Sequence, residues 1–194
     1  MVADLCFRGV VDGSTARHAY RLGYRVVASG KVDSVRDLEN VRVVPRYEIS
    51  RDAVDRYRSA RGLKVLVVSS REDLKFYPKL SGSVSGIRID FTQLTGVDKD
   101  FMRRVIGSRI PVEVEFAEVL RRVLSGEPID YYYLLLRLYV RGKVEVYVCS
   151  GASDISSMVH PTAMRALISV LGVPEDLAAK AVLKVPRELV SGIA

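Results

Sequence analysis

Val144-Glu145-Val146-Tyr147-Val148-Cys149-Ser150-Gly151-Ala152-Ser153 is the stretch from which the fold is read. Val144 to Cys149 form an apolar, β-branched run of strand length, and the small residues behind it lead into helical patterns punctuated by Pro161, Pro174 and Pro186. A strand that ends in small residues and feeds a helix is how α/β proteins present a site. Small side chains let a phosphate or a partner backbone come close and leave hydroxyl and backbone N–H donors available. Ser150, Gly151 and Ser153 are therefore candidates for a close-approach turn.

Upstream, the same alternation repeats almost from end to end. Strands are expected at Val2 to Arg8, Arg25 to Ser29, Val41 to Ile49, Leu63 to Ser69, Gly86 to Phe91, Ile110 to Glu115 and Val144 to Cys149. Helical spacing fills the gaps at Ser14 to Leu22, Ser34 to Leu38, Arg51 to Arg61, Asp73 to Leu80, Asp98 to Ile106, Phe116 to Leu124, Asp130 to Arg141, Pro161 to Leu171 and Pro174 to Lys184. Gly23, Gly62, Gly107 and Gly172 stand where helices are expected to stop. Regular βα alternation implies parallel strands, in a barrel or a doubly wound layer. Seven strands in 194 residues is lean for eight-fold closure. The expected fold is α/β, a TIM-barrel-like (β/α) fold with an irregular or incomplete barrel, as one domain over 1–194.

A hydrophobic content of 48% and a mean hydropathy of +0.12 fit a well-packed core rather than a disordered chain. No apolar run approaches the ~18 residues that cross a bilayer, and Met1-Val2-Ala3-Asp4-Leu5 lacks the basic start and apolar stretch of a signal peptide. The expected location is cytoplasmic. Net charge is +7, which favours a polyanionic partner. Residues 1 to 64 hold 13 Lys/Arg against 8 Asp/Glu, so most of the excess lies in the first third. Of the 30 cations 22 are Arg, whose planar fork suits phosphate. Asn40 and Gln93 are the only amides, a depletion that fits a thermophile.

The catalytic inventory at the expected strand ends is poor: Arg8, Ser29 with Lys31, Ser69-Ser70-Arg71, Asp90, Glu115 and the Ser150 turn. His18 falls inside a helix and His160 stands at a helix start, and no GxSxG, GxGxxG or GxxxxGK[ST] motif is present. Metal-dependent phosphoesterases on one kind of barrel open with an Asp-x-His-x-His strand. Asp4-Leu5-Cys6-Phe7-Arg8 keeps the Asp but puts Cys and Arg where the imidazoles would stand, and Arg cannot ligate a metal. Cys6 and Cys149 read first as buried thiols inside strands; were the first and last strands to adjoin, the pair would come within bridging reach.

Val146-Tyr147-Val148-Cys149-Ser150-Gly151-Ala152, then His160-Pro161, Leu167 to Val173 and Ala178-Ala179-Lys180-Ala181-Val182 to Pro186, resemble the C-terminal signature of the archaeal ribonuclease P protein component 3 family, which includes a eukaryotic thirty-kilodalton member. Asp4-Leu5, Ala19 to Tyr24 leading into Val26-Val27-Ala28, and Gly86 to Asp90 fall where that family places corresponding elements. The resemblance implies a barrel with no catalytic site of its own, inside a ribonucleoprotein that removes the 5′ leader from precursor tRNA. It implies ribonuclease P RNA as a partner, other protein components of the particle, above all the small companion subunit (component 2), and precursor tRNA indirectly. It also implies no cofactor on the protein, with Mg²⁺ used by the RNA subunit. Two features depart from the family pattern. Val159 stands where many members have Arg, and Tyr131-Tyr132-Tyr133 replace the usual Arg and Asn of that helix, so one or two tyrosines are expected in the core. Expected RNA contacts are Arg71, Lys75, Arg88, Arg103, Arg104, Arg121, Arg122 and Arg137.

Overall fold

The computed structural model describes residues 1–74, 82–93 and 99–193. The β-branched runs extend as β1 (Val2–Phe7), β2 (Tyr24–Ser29), β3 (Arg36–Leu38), β4 (Val41–Ile49), β5 (Leu63–Val68), β6 (Gly86–Ile89), β7 (Val112–Glu115) and β8 (Val146–Cys149). Around them lie α1 (Gly13–Arg21), α2 (Lys99–Ser108), α3 (Phe116–Ser125), α4 (Asp130–Val140), α5 (Pro161–Val170), α6 (Glu175–Ala179) and α7 (Val185–Ser191). Seven strands pair in parallel in the order β1-β2-β4-β5-β6-β7-β8, each beside its predecessor on that path. The sheet curls into a nearly closed barrel with one seam, a TIM-barrel-like α/β fold.

Two expected helices differ, and a third falls mostly outside the described residues. Ser34 to Leu38 is not helical: β3 turns back antiparallel on β4 through Glu39 and Asn40, both with positive φ (50° and 65°). Two left-handed residues in succession are the signature of a tight hairpin turn, and Asn accepts that conformation readily. Arg51 to Arg61 forms two 3₁₀ turns, Arg51–Ala53 and Asp55–Tyr57, because only Val54 is buried there and a single anchor supports no long helix. Of Asp73 to Leu80 only the 3₁₀ turn Glu72–Leu74 is described. Helical chain also runs past Lys184. Pro186 has no N–H to offer the carbonyl one turn back, and a π turn, Lys180–Lys184, accommodates the proline before α7 resumes.

At the seam, among the described residues, no strand ladder joins β8 to β1. Other bonds do. Cys6 and Cys149 form a disulfide across a Cα separation of 5.7 Å, so the two cysteines are not the buried thiols expected from their strand positions. Asp4, fully buried, takes bonds from the Ser150 N–H (3.0 Å) and hydroxyl (2.5 Å), and Arg8 N–H donates to the Ala152 carbonyl (2.8 Å).

The inner face of the barrel changes character along its length. Near the strand starts it is apolar: Ala3, Leu5, Val26, Ala28, Leu63 and Val65 pack with Val185 and Val190 of α7, which closes that end. Gly86 makes room for the buried Tyr147 ring; a Cβ there would lie 2.5 Å from the phenol oxygen. Toward the strand ends the interior becomes charged.

Candidate functional site

Arg46 on β4 and Glu113 on β7 reach across the barrel and meet in a two-pronged ion pair (2.6 and 2.8 Å), both side chains almost wholly buried. Arg46 also donates to the Leu5 carbonyl (2.8 Å), and the Tyr147 hydroxyl donates to Glu113 (2.7 Å). Burial would disfavour the Arg46 charge, but the facing Glu113 carboxylate outweighs it and fixes the guanidinium as a cation. Burial and that same carboxylate hold the Tyr147 phenol protonated.

One layer nearer the mouth lie Arg8, Glu48, Arg88 and Glu115. Arg8 grips both oxygens of Glu115 (2.6 Å each), and Arg88 donates to Glu48 (2.9 Å) and Glu115 (3.4 Å). Burial and the neighbouring Glu113 push the Glu115 carboxyl above its usual range despite Arg8. For Glu48, burial also acts upward, but Arg46 and Arg88 win and hold it below that range. Three guanidiniums and three carboxylates thus neutralise one another from the buried Arg46–Glu113 pair up to the exposed Arg8 and Glu48 at the mouth. For the buried Arg46 and Glu113, a low-dielectric interior tolerates charge on these terms, paired and hydrogen-bonded.

Above this network opens a cleft of about 330 Å³ lined by Arg8, Arg88, Asp90, Glu115, Glu118 and Arg121, with Tyr132 at its wall. Its cations are already engaged, since Arg121 meets both Glu118 (3.0 Å) and Glu127 (3.0 Å). A phosphate entering the cleft would have to displace carboxylates from their partners.

The three positions where barrel phosphoesterases begin their metal site are engaged in the same way. Asp4 holds Ser150, Cys6 is half of the disulfide, and Arg8 binds Glu115. Burial raises the Asp4 pKa above the ordinary aspartate value, against the pull of its Ser150 and Cys6 donors. Among the described residues, no three His, Cys, Asp or Glu side chains gather as a metal-ligating group. His160 caps α5, its Nδ1 accepting from Thr162 N–H (3.1 Å).

Of the expected RNA contacts, Arg88 sits in the barrel network. Arg103 pairs with Asp100 (3.0 Å), and buried Arg122 donates to Glu118 (2.6 Å). Arg71 is exposed after β5. Lys75 lies outside the described residues. Arg104 and Arg137 are exposed and, among the described residues, have no carboxylate partner. Arg88 and Arg121 thus share the cleft at the mouth, and Arg104 and Arg137 lie on α2 and α4. In the Ser150 turn both donors of Ser150 face Asp4, Gly151 N–H points to Cys6 Sγ (2.9 Å), and exposed Ser153 bonds Asp154 (3.2 Å). The backbone that comes close there is the chain's own, for a Cβ on Gly9 would lie 2.5 Å from the Ser153 carbonyl. Of the three tyrosines, Tyr132 is buried, Tyr131 stacks on Phe91 (centroids 5.2 Å apart) and Tyr133 is exposed. Val159 is half-buried and its carbonyl accepts from Tyr24 (2.8 Å).

Sequence reading missed Arg46, Glu48 and Glu113. The signal was present. Glu113 and Glu115 alternate with Val112 and Val114 in a strand covered on both faces, which puts two carboxylates inside the barrel and calls for buried cations opposite.

No family model and no curated protein matches the sequence. Solved structures do match its fold. A chain in the cryo-EM structure of an archaeal ribonuclease P with mature tRNA superposes with a TM-score of 0.75 at 13% identity, covering 96% of this chain and 91% of that one. A crystal structure of an uncharacterized protein superposes with a TM-score of 0.59 at 11% identity, covering 98% of this chain and 74% of that one. At such identities the shared property is the barrel fold. Among the described residues no helix is long and apolar enough to cross a membrane.

Proposed function

We propose that this chain is a protein subunit of ribonuclease P, of the component 3 type, which binds the catalytic RNA and supports removal of the 5′ leader from precursor tRNA. The observation that carries the reading is the barrel shared over nearly the whole length of both chains with a chain of an archaeal ribonuclease P particle. Its mouth adds support: a self-neutralised set of Arg and Glu occupies the place where barrel enzymes hold their chemistry. In this reading hydrolysis and its Mg²⁺ belong to the RNA, and the small companion subunit is the protein partner. The excess of cations, mostly Arg, supplies the affinity for a polyanion. The phosphoesterase alternative loses support because Asp4, Cys6 and Arg8 are each held by another residue.

Reconstitution tests the proposal. Cognate ribonuclease P RNA and the remaining protein components are to cleave precursor tRNA faster, or at lower Mg²⁺, when this chain is added. Unchanged cleavage, or metal-dependent phosphoester hydrolysis by the protein alone, would overturn it.

A further inference from the structure

Opposite the mouth, the strand-start end of the barrel carries cations of another kind. Arg109 stands in the turn before β7, and Arg141 and Lys143 stand in the turn before β8. All three are exposed, and among the described residues none has an ion-pair partner. Arg109 and Lys143 line a groove of about 400 Å³ between the last turns of α2 and α4. Arg104 on α2 and Arg137 on α4, exposed and unpaired in the same sense, lie on the two helices whose ends flank it. One carboxylate, Glu145, is among the described lining residues, and it binds Lys180 (2.9 Å).

Arg109 and Lys143 line the groove, Arg141 stands in the same turn as Lys143, and such neighbouring cations repel one another, so the isolated fold gains nothing from gathering them. Helix dipoles account for part of the pattern, since a cation suits a helix C-terminus. That accounts for Arg137 and Arg141 at the end of α4 and for Arg109 just past α2, but not for Arg104, a turn further in, or for Lys143. Arg109 also adopts φ +54°, a backbone conformation that favours glycine, so a charged side chain is kept where the turn itself does not ask for one. The chemistry that satisfies such a set is a row of phosphates, for which Arg provides paired, weakly hydrated donors. The groove itself is largely apolar, lined by Val105, Ile106, Ile110, Tyr139, Val140 and Val144, and the exposed cations beside it and the net charge of +7 are what favour RNA.

We propose that the strand-start end between α2 and α4 is the face that grips the RNA backbone, through Arg104, Arg109, Arg137, Arg141 and Lys143. The assignment rests on the ribonuclease P reading above and gives it a surface. It puts RNA at the end of the barrel away from the mouth.

The test uses the full chain, with a transcript of the organism's ribonuclease P RNA and an unrelated RNA duplex as probes, in filter binding across a salt series. The triple variant R109Q/R141Q/K143Q is expected to lower the slope of log Kobs against log salt by about 2 to 3 units, and to weaken binding at physiological salt by on the order of tenfold or more, on both probes. The charge-conserving pair R109K/R141K is expected to keep the wild-type slope, as is R103Q, which removes a cation already paired with Asp100. Because every altered side chain is exposed, thermal unfolding should be unchanged. A triple variant that binds RNA with the wild-type slope overturns the face and leaves the ribonuclease P reading standing; so does one that keeps its RNA affinity and loses the companion protein. A wild-type chain with no salt-dependent affinity for either probe overturns both.

Discussion

The mouth of the barrel and its strand-start end are both rich in arginine, yet the arginines do different work. At the mouth Arg8, Arg46, Arg88 and Arg121 each face a carboxylate, so the charges cancel within a few ångströms and little field leaves the molecule. At the strand starts Arg109, Arg141 and Lys143 have no such partner among the described residues, and their field extends outward. The difference shows why counting basic residues is a weak guide to a nucleic-acid surface. Arg88 and Arg122 belong to the architecture, whereas Arg109 and Arg141, unremarkable in the sequence, are exposed and among the described residues face no carboxylate.

Breaking the mouth is expected to cost the fold most. Glu113→Ala leaves the Arg46 guanidinium buried without its counter-ion, a loss of about 3–5 kcal/mol in urea unfolding. The double change Arg46→Met/Glu113→Leu should restore much of that, because a matched apolar pair carries no desolvation penalty. The seam comes next. Cys149→Ser, or reduction of the wild type, removes a link spanning 143 residues and should lower stability by about 2–4 kcal/mol. Recovery of full stability under strong reductant would show that the other seam bonds suffice.

Ser150→Ala should cost about 1–3 kcal/mol by stripping Asp4 of a buried donor. The sign of its pH dependence follows from the direction of the Asp4 shift. Burial raises the folded-state pKa of Asp4, so its ionisation counts against the fold as pH rises, and losing a donor raises that pKa further. The deficit of the variant should therefore grow from acid toward neutral pH; a deficit that shrinks as pH rises would contradict the assignment. The smallest effect is expected at the opposite end. Arg141→Gln should stay within about 0.5 kcal/mol of wild type in unfolding, while weakening RNA binding and lowering the salt slope by about one unit.

The strands and their parallel order were legible because Val-rich runs covered on both faces leave little alternative to a sheet wrapped in helices. β3 was not, although Asn40 carried the hairpin signal, because Ser34 to Leu38 alone offers too few residues to set a period. The disulfide depended on closure of the barrel, a long-range property that strand patterns do not contain. The Arg46–Glu113 pair was half legible, since alternation within β7 turned Glu113 inward but could not name the strand across the barrel. The strand-start cations were hidden for the same reason. Arg109 and Lys143 are 34 positions apart and share a groove only once α2 and α4 end side by side.

The decisive measurement is reconstituted cleavage of precursor tRNA at physiological salt, run with the wild-type chain, with the mouth variant E118Q/R121Q and with R109Q/R141Q/K143Q. Equal stimulation is expected from the first two, with the third requiring at least several-fold more protein or lower salt to match them. No stimulation by the wild type, or loss in the mouth variant with none in the strand-start variant, would contradict it.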